Sequence, residues 1–422
     1  MRFPLARGRA DAWDPLLACV AAYILTAVGR IHQLFAPLAA FHPAMLAGAL
    51  AILLYALDAR SRRRLVHSWA APASRFTAAL LGWMLLSTPF ALVIGNSFDL
   101  VVHNFVKTVA MVFVIAGCVR TTRDVERLAY AYFAAAAIYA VVVVSRFSVG
   151  GADWRLDNLY YYDANDFATF IVTAVPFGLY FLHAGQPFGR GLPALGLVVL
   201  MVAFVQTGSR GGFIAMSAVV IYVVARYTTI PARYRLGGAL LLVVVVLAVA
   251  TNRYWSQMTT ILADTDYNRT SETGRLQIWS RGVGYMLRFP VLGVGPANFE
   301  TAEGTLSDYA RRAQYGMGVS WNAAHNSYIQ AGAELGFPGL ALFAGILGSS
   351  LWSLRRLERR RCEPHGDALA QRKLSQAMAA ALIGFACGAF FLSLAYHEMM
   401  YTLVGLAVGL VKLAPAAAGA RR

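Results

Sequence analysis

The feature that most limits what this chain can fold into is a series of uncharged apolar runs, each close to about 20 residues long, which is the length of α-helix that spans a bilayer. Of the 422 residues, 58% are hydrophobic and only 14% are charged. Such a chain is typical of polytopic membrane proteins, because only helices and closed barrels satisfy all their backbone polar groups inside lipid. We predict an all-α fold with about twelve transmembrane helices in a single integral membrane domain, residues 1–422. The predicted spans are residues 14–29, 34–57, 76–95, 98–119, 125–147, 166–184, 192–207, 209–226, 236–251, 338–354, 374–396 and 398–414.

Basic residues are concentrated in the linkers after the second, fourth, eighth and tenth predicted spans and at the last residues of the sequence. They are Arg60, Arg62, Arg63, Arg64, Arg75, Arg120, Arg123, Arg127, Arg226, Arg233, Arg235, Arg355, Arg356, Arg359, Arg360, Arg361, Arg372, Lys373, Arg421 and Arg422. If twelve helices alternate in direction, all these segments lie on one side of the membrane. The positive-inside rule makes that side the cytoplasm, with both termini in it. Because topology accounts for most of the net charge of +16, we predict no nucleic-acid partner.

The unusual polar motifs all fall on the opposite face. That face receives residues 148–165, the turn at residues 207–212, one long loop over residues 252–337, and the short link around His397 and Glu398. A chain with almost no soluble domain on the basic side, and with its polar motifs on the other, is expected to act on something outside the cytoplasm.

Arg210 lies in the turn Thr-Gly-Ser-Arg-Gly-Gly, between two apolar runs and on the predicted outer face. Glycines beside it expose backbone N–H groups at a helix N-terminus, which favours anions, and the guanidinium adds a planar fork that fits phosphate. We interpret the turn as an anion site. The alternative is an arginine that extends to the membrane surface from a flexible turn.

The long outer loop contains a segment with helical periodicity that ends before Pro290. At helical spacing, one face carries the apolar residues Leu276, Trp279, Val283 and Met286, and the opposite face carries Gln277, Arg281 and Arg288. We predict an amphipathic helix that lies on the membrane or covers a cavity. Arg281 and Arg288 are interpreted as solvated or in contact with lipid headgroups. Arg275, at the edge of the apolar face and near the helix N-terminus, is predicted to be functional.

His325 lies in residues 321–340, which read W-N-A-A-H-N-S-Y-I-Q-A-G-A-E-L-G-F-P-G-L. We expect a short helix ending near Leu335, a bend at the glycines, and a membrane helix that has Pro338 in its first turn. His325 would then stand at the boundary of water and lipid, where an imidazole can exchange protons. The alternative is a boundary histidine without a role.

Two further sets of polar residues are candidates for substrate binding. Asp99, His103 and Lys107 form one stripe on the fourth predicted span, and such a stripe either faces a cavity or is paired internally to hold helices together. Asn165 and Asp166 follow Tyr160, Tyr161 and Tyr162 at the start of the sixth span. Either could be a helix N-cap, and the tyrosines could form an interface belt or stack on a sugar.

No metal site, cofactor or disulfide framework is expected. The four cysteines, Cys19, Cys118, Cys362 and Cys387, are scattered, and no pair has metal-ligand spacing.

Four motifs together resemble the O-antigen ligase and O-antigen polymerase superfamily. They are Y-Y-D-A-N-D-F-A, T-G-S-R-G-G-F, E-T-G-R-L-Q-I-W with P-V-L-G-V-G-P-A-N-F after it, and A-H-N-S-Y-I-Q-A-G-A-E-L-G-F-P-G-L. The resemblance implies a metal-independent glycosyltransferase of the bacterial inner membrane, with its active site facing the periplasm. The implied donor is a glycan on undecaprenyl diphosphate. By motif, Arg210 and Arg275 match the two essential arginines and His325 the essential histidine, while Asn326 would orient the histidine or a sugar.

Within this superfamily the sequence favours a ligase that transfers the glycan to lipid A–core. A polymerase that uses a second lipid-linked repeat, or a transferase that uses protein side chains, carries the same motifs. A lipid-linked-sugar flippase or secondary transporter is the alternative from another class, although transporters tend to have charged, broken helices near the membrane midplane. The expected partners are therefore the lipid-linked donor, a hydroxyl acceptor and membrane lipids.

Overall fold

The computed structural model describes residues 13–146, 156, 159, 161–184, 189–262, 271–312, 321–360 and 366–414, and within these every regular element is helical, with no β-strand. The predicted all-α fold class is thus confirmed for this part of the chain. The α-helices are Pro15–Tyr23, Ala36–Ala39, Pro43–Leu57, Ser61–Trp69, Pro72–Ser87, Ile94–Phe98, Val106–Cys118, Thr122–Arg146, Ala164–Ala184, Gly191–Thr207, Arg210–Arg226, Ala232–Val249, Asn252–Thr259, Arg275–Arg288, Phe299–Thr305, Asp308–Arg312, Ser327–Glu358, Asp367–Gly388 and Glu398–Leu413. Short 3-10 turns occupy Ile31–Leu34, Thr88–Phe90 and Thr260–Leu262, and π-helical turns occupy Ile24–Val28 and Asp99–Phe105.

Most predicted spans overlap one of these helices or a run of consecutive ones. The span predicted at residues 374–396 is wrong at its end, because its helix is Asp367–Gly388 and residues 389–396 are not helical, and the span predicted at residues 76–95 is interrupted at residues 91–93. Among the described residues, five helical stretches are long and apolar enough to cross a membrane. A sixth is added if Ala232–Ala248 and Asn252–Thr259, which meet at 111°, form one broken span. The five are Pro37–Leu57, Ile94–Cys118, Thr122–Arg146, Ala164–His183 and Ser327–Glu358. A count of twelve transmembrane helices, and their orientation, therefore stay predictions.

Large apolar side chains cover the outward surface of several helices. On Pro43–Leu57 and Ala232–Val249, for example, leucines such as Leu53, Leu57 and Leu240 are exposed. A soluble monomer rarely exposes contiguous apolar area of this kind, whereas a helix in contact with lipid does. The described fold is that of a multi-pass membrane protein.

Hydrogen bonds between helices respect the predicted alternation of their ends. At one end, Arg120 pairs with Asp14 and Tyr222 bonds to Glu358. We call this the arginine-rich end, defined by the linkers after residues 57, 118, 226 and 358. At the opposite end, which we call the motif end, Trp83 Nε1 donates to the carbonyl of Leu335 at 2.9 Å. These contacts are consistent with alternating helices, and the assignment of the arginine-rich end to the cytoplasm stays a prediction.

The predicted bend after Leu335 is confirmed. Gly336 interrupts the helix Ser327–Glu358 with φ 70° and ψ −172°, a conformation open to glycine but strained for other residues. A Cβ at Gly336 would also lie 2.4 Å from the carbonyl oxygen of Val291. The bend is where residues 290–298 cross the helix, because the N–H of Phe337 donates to the carbonyl of Pro290 at 2.9 Å. The loop after the amphipathic helix is thus fixed against the segment that follows His325.

Candidate active site

Arg210 is the first residue of the helix Arg210–Arg226, as the glycine-rich turn predicted. Gly208 ends the preceding helix in the left-handed conformation, and Ser209 caps the new one by accepting a hydrogen bond from the N–H of Gly212 at 3.1 Å. The Arg210 guanidinium is half-buried and donates to Thr260 Oγ1 at 2.7 Å. A cation at a helix N-terminus opposes the helix dipole, so the position costs stability and concentrates positive potential that favours an anion.

Asn165 is joined directly to this turn, because Ser209 Oγ donates to Asn165 Oδ1 at 2.8 Å. The N-cap of the helix Ala164–Ala184 is neither Asn165 nor Asp166, which were the residues considered from sequence. Asp163 is the cap, and its Oδ1 accepts from the N–H groups of Asn165 and Asp166, each at 2.7 Å. The cap lies one position earlier in the motif because the helix itself begins at Ala164. The Asn165 side chain is thereby left to contact the arginine turn.

The predicted amphipathic helix is present as Arg275–Arg288 and begins at Arg275. Its buried face differs from the predicted one. The face that packs on the protein carries Ile278, Gly282, Tyr285 and Met286, whereas Leu276 and Val283 are 47% and 43% exposed. The prediction chose the most apolar face of an isolated helix, but this helix has apolar residues on two sides. One side packs against Phe299 and Ile329, and the exposed side is suited to contact lipid.

Arg281 is not solvated, contrary to the sequence interpretation. Its guanidinium forms three hydrogen bonds to the Glu303 carboxylate, the shortest from Arg281 Nη2 to Glu303 Oε2 at 2.6 Å. Glu303 is 1% exposed and also accepts from the Tyr285 hydroxyl at 2.7 Å. Arg281 is therefore a structural residue that holds the amphipathic helix to Phe299–Thr305. Arg288 is exposed, as predicted.

His325 immediately precedes the helix Ser327–Glu358 and has a left-handed backbone, with φ 47°. This conformation is uncommon for a residue with a side chain and is kept only where surrounding contacts impose it. The His325 N–H donates to Ser393 Oγ at 2.8 Å, and the neighbouring Ser327 Oγ donates to the carbonyl of Leu392 at 2.7 Å. On the other side, Trp279 Nε1 of the amphipathic helix donates to the carbonyl of Ala324 at 3.0 Å.

The charges near His325 come from two other motifs. Burial lowers the pKa of His325 below its ordinary value, the Arg275 guanidinium lowers that pKa further, and the Asp163 carboxylate opposes both effects. The imidazole is accordingly held neutral near pH 7. The same interactions show that Arg275 and Asp163 are electrostatic neighbours of His325. Since Asp163 caps the helix that carries Asn165, these residues and the Arg210 turn belong to one polar region.

Asn326 is the N-cap of the helix Ser327–Glu358. Its Oδ1 accepts from the N–H groups of Tyr328 and Ile329, at 2.9 and 3.1 Å, and the residue is 1% exposed. This contact gives Asn326 a helix-capping role that orients the segment next to His325. A contact between Asn326 and a substrate stays a prediction.

His103 contacts Asp99 of its own helical segment. His103 Nδ1 lies 2.9 Å from Asp99 Oδ1, and these side chains are 61% and 69% exposed. Lys107 is exposed as well. The segment Asp99–Phe105 is π-helical, so the stripe predicted at regular α-helical spacing is locally underwound. The described ion pair joins only Asp99 and His103. A substrate-binding role for His103 or Lys107 stays a prediction.

Sequence reasoning missed the residues that support the motifs. Ser393 and Trp279 fix the backbone beside His325, Thr260 accepts from Arg210, and Glu303 pairs with Arg281. A serine in a short link has no distinguishing pattern, and only its contact with His325, 68 residues earlier, shows its role. Among the residues described, no group of three or more His, Cys, Asp or Glu side chains is arranged to hold a metal ion.

The fold and this region define a helical multi-pass membrane protein with a polar, arginine- and histidine-containing site at one end. A family model described as O-antigen ligase matches residues 195–344, which include Arg210, Arg275, His325 and Asn326. The match confirms the resemblance found in the motifs and supports a glycosyltransferase-like member of the O-antigen ligase superfamily. No curated protein matches the chain.

Proposed function

We propose that the protein is an O-antigen ligase-like glycosyltransferase that moves a glycan from undecaprenyl diphosphate to a hydroxyl of lipid A–core. The proposal places the reaction at the periplasmic face of the bacterial inner membrane. The observation that carries it is the grouping of His325, Arg275 and Asp163 beside the Arg210 turn, within and next to the family-matching residues. Transfer from a lipid diphosphate requires basic groups that stabilise the leaving group and a group that accepts the proton of the acceptor hydroxyl.

Arg210 and Arg275 would bind the diphosphate leaving group. Each is the first residue of its helix, so the guanidinium and the helix N-terminus act on an anion together. When the bond between the sugar C1 and the phosphate oxygen breaks, negative charge grows on the diphosphate, and planar forks in a site shielded from water stabilise that charge. Because the arginines supply the neutralisation, the proposal includes no metal ion.

His325 would act as the general base. The neutral imidazole takes the proton of the acceptor hydroxyl while the acceptor oxygen bonds to the sugar C1, and undecaprenyl diphosphate leaves as the anion. Burial and Arg275 favour the neutral form by lowering the pKa of His325. The left-handed backbone of His325 and its hydrogen bond to Ser393 fix the direction in which the Cα–Cβ bond of the histidine points. His325 and Arg275 are thus coupled, because the cation that binds the leaving group also keeps the base unprotonated.

Transfer by purified protein in vesicles tests the proposal. The donor would be a glycan on undecaprenyl diphosphate, offered with lipid A–core, with a second lipid-linked repeat, or with a serine- and threonine-rich protein acceptor. Product on lipid A–core, retained after treatment with a chelator, is expected. Product only in the second or third arm would make the protein a polymerase or a protein glycosyltransferase. Movement of labelled donor across the vesicle without any transfer would replace the enzyme with a flippase.

A further inference from the structure

A cavity of about 440 Å³ opens at the arginine-rich end, far from the motif end. It lies where the last residues of the helices Arg210–Arg226 and Ser327–Glu358 meet the first turns of Asp367–Gly388. Its charged lining consists of Arg226, Arg359, Arg360, Arg372 and Glu358. The cavity therefore joins the far ends of the two helices whose other ends lie at Arg210 and His325.

Basic side chains outnumber acidic ones in the described lining of the cavity. Arg226, Arg359 and Arg372 surround the single carboxylate of Glu358, to which the hydroxyl of Tyr222 donates at 3.1 Å. Within the described residues, no ion pair joins Glu358 to Arg226, Arg359 or Arg372, and Arg372 Nη2 donates instead to Thr228 Oγ1 at 3.4 Å. Guanidinium groups gathered around one space form a site for a multivalent oxyanion, because each presents a planar fork of donors.

Other arginines at the same end have carboxylate partners. Arg64 lies 2.8 Å from Asp58, and Arg120 lies 3.1 Å from the fully buried Asp124. The requirement for positive charge on this side of the membrane is met by arginines in either arrangement. That requirement does not explain why Arg64 and Arg120 pair with carboxylates whereas Arg226, Arg359 and Arg372 surround an open cavity.

A second cavity, of about 620 Å³, shares Arg360 with the first. Its walls include Trp352, Leu357, Val411 and Leu413, and Arg356 and Lys412 add positive charge. A polar basic space next to an apolar one fits an amphiphile with a phosphate headgroup and acyl chains better than a free anion. Basic pockets between membrane helices on the cytoplasmic side are a known form of lipid recognition.

We infer that these two neighbouring cavities, which share Arg360, bind the phosphate headgroup and upper acyl chains of an anionic membrane lipid. The lipid would bridge the ends of Arg210–Arg226 and Ser327–Glu358. A ligand that binds the folded state stabilises it, so the lipid raises the thermal stability of the protein. Glu358 repels the phosphate and sets the strength of binding.

The test uses full-length, delipidated protein in a neutral detergent, with bound lipid counted by native mass spectrometry and Tm recorded. Cardiolipin and phosphatidylglycerol are expected to bind and to raise Tm, and phosphatidylcholine to do neither. Replacing Arg226 and Arg372 together by glutamine should weaken binding about tenfold or more, since a hydrogen bond to a charged group contributes about 1.5–3 kcal/mol. Glu358→Gln should strengthen it, and this variant guards against misreading a folding defect as lost affinity.

The matched control replaces Arg62 and Arg63 by glutamine, because both are exposed on the helix Ser61–Trp69 at the same end. It removes equal charge without touching the cavities and should leave binding nearly unchanged. Equal loss in the control, equal binding of phosphatidylcholine, or weaker binding in Glu358→Gln would overturn the inference. Inorganic pyrophosphate that stabilises the protein as strongly as cardiolipin would assign the cavity to a free phosphate compound instead of a lipid.

Discussion

The two ends of the helix Arg210–Arg226 both carry an arginine, and the two positions are opposite in their electrostatics. Arg226 stands at the C-terminus, where a cation is favoured by the helix dipole, and Arg210 stands at the N-terminus, where a cation is disfavoured. Arg275 repeats the unfavourable position at the start of the amphipathic helix. At the arginine-rich end, arginines stand at both kinds of helix terminus, since Arg62 and Arg63 lie in the first turn of Ser61–Trp69, and the predicted topology accounts for them there. At the motif end, the predicted topology does not account for Arg210 and Arg275.

The unfavourable helix positions of Arg210 and Arg275 fall beside the candidate general base, and departures from local preference are expected at functional sites. The contrast also separates two arginines of the amphipathic helix. Arg275 has the unfavourable terminal position and influences the pKa of His325, whereas Arg281 has a buried carboxylate partner that accounts for its presence. Helix position and side-chain contacts together, and not the presence of arginine, distinguish the candidate site from the rest of the basic surface.

The largest expected effect is in reporter fusions that test which end faces the cytoplasm, because the signal of such a fusion is either present or absent. The charge distribution predicts that the arginine-rich end is cytoplasmic. Fusions at Arg63, Tyr227 and Gly366 should give cytoplasmic signals, and fusions at Gly151, Thr265 and Ser307 periplasmic ones. A periplasmic signal at Gly366 would reverse the assignment of the ends and place His325 in the cytoplasm.

His325→Ala is expected to reduce single-turnover transfer about 10²–10⁴-fold, the usual effect of losing a general base. Donor affinity should stay nearly intact, because the base acts on the acceptor. Binding of a lipid-diphosphate glycan, measured beside transfer, separates the two quantities. Equal loss of donor binding in His325→Ala and Arg210→Ala would make the histidine a phosphate ligand or a structural residue.

Arg210→Ala should weaken donor binding roughly 10- to 100-fold and reduce turnover as well, since it removes charge-assisted hydrogen bonds to the diphosphate. Arg210→Lys should restore little, because an ammonium cannot form the bidentate fork. Thr260→Val is the matched control. It removes the observed partner of the Arg210 guanidinium and leaves the guanidinium in place, so donor binding that falls as far as in Arg210→Ala would indicate a structural role for Arg210.

Substitutions of the three arginines of the amphipathic helix should differ in their effects on transfer activity and on stability. Arg275→Ala is expected to abolish transfer with little change in Tm. Arg281→Ala is expected to destabilise the fold by about 3–5 kcal/mol, because it leaves the buried Glu303 without its cation. Arg288→Ala, at an exposed position, should change stability by less than about 0.5 kcal/mol. Thermal unfolding and transfer activity of the three variants check this. A stable Arg281→Ala variant would show that the Glu303 pair contributes little.

The smallest expected effect is a shift in the pH dependence of transfer. Activity should fall as pH drops through the pKa of His325, which lies below the ordinary value, because the protonated imidazole cannot accept the acceptor's proton. Asp163 raises the pKa of His325, so Asp163→Asn should move the acidic limb to lower pH while the amide still caps the helix. An unchanged acidic limb in Asp163→Asn would show that a group other than His325 controls the pH dependence of transfer.

The motifs and most helix positions could be predicted because their causes are local. The bend at Gly336 follows from a glycine and a nearby proline, and the helix starting at Arg210 follows from glycines and a capping serine. The buried face of Arg275–Arg288 could not be predicted in this way. Its apolar residues point to two sides, and which side is buried depends on where Phe299 and Ile329 lie in the fold.

By itself, the sequence indicated a helical multi-pass membrane protein that resembles the O-antigen ligase superfamily, and it predicted basic linkers on one side and polar motifs on the other. Hydropathy, helix breaks and charge counts act over neighbouring residues, so they can be read without coordinates. Only the tertiary structure decided that Asp163 and Arg275 influence the pKa of His325 and that Ser393 holds the histidine backbone. It also decided that Arg281 pairs with the buried Glu303 and has a structural role. These contacts join residues distant in the chain, and their formation depends on how the helices pack rather than on any local pattern.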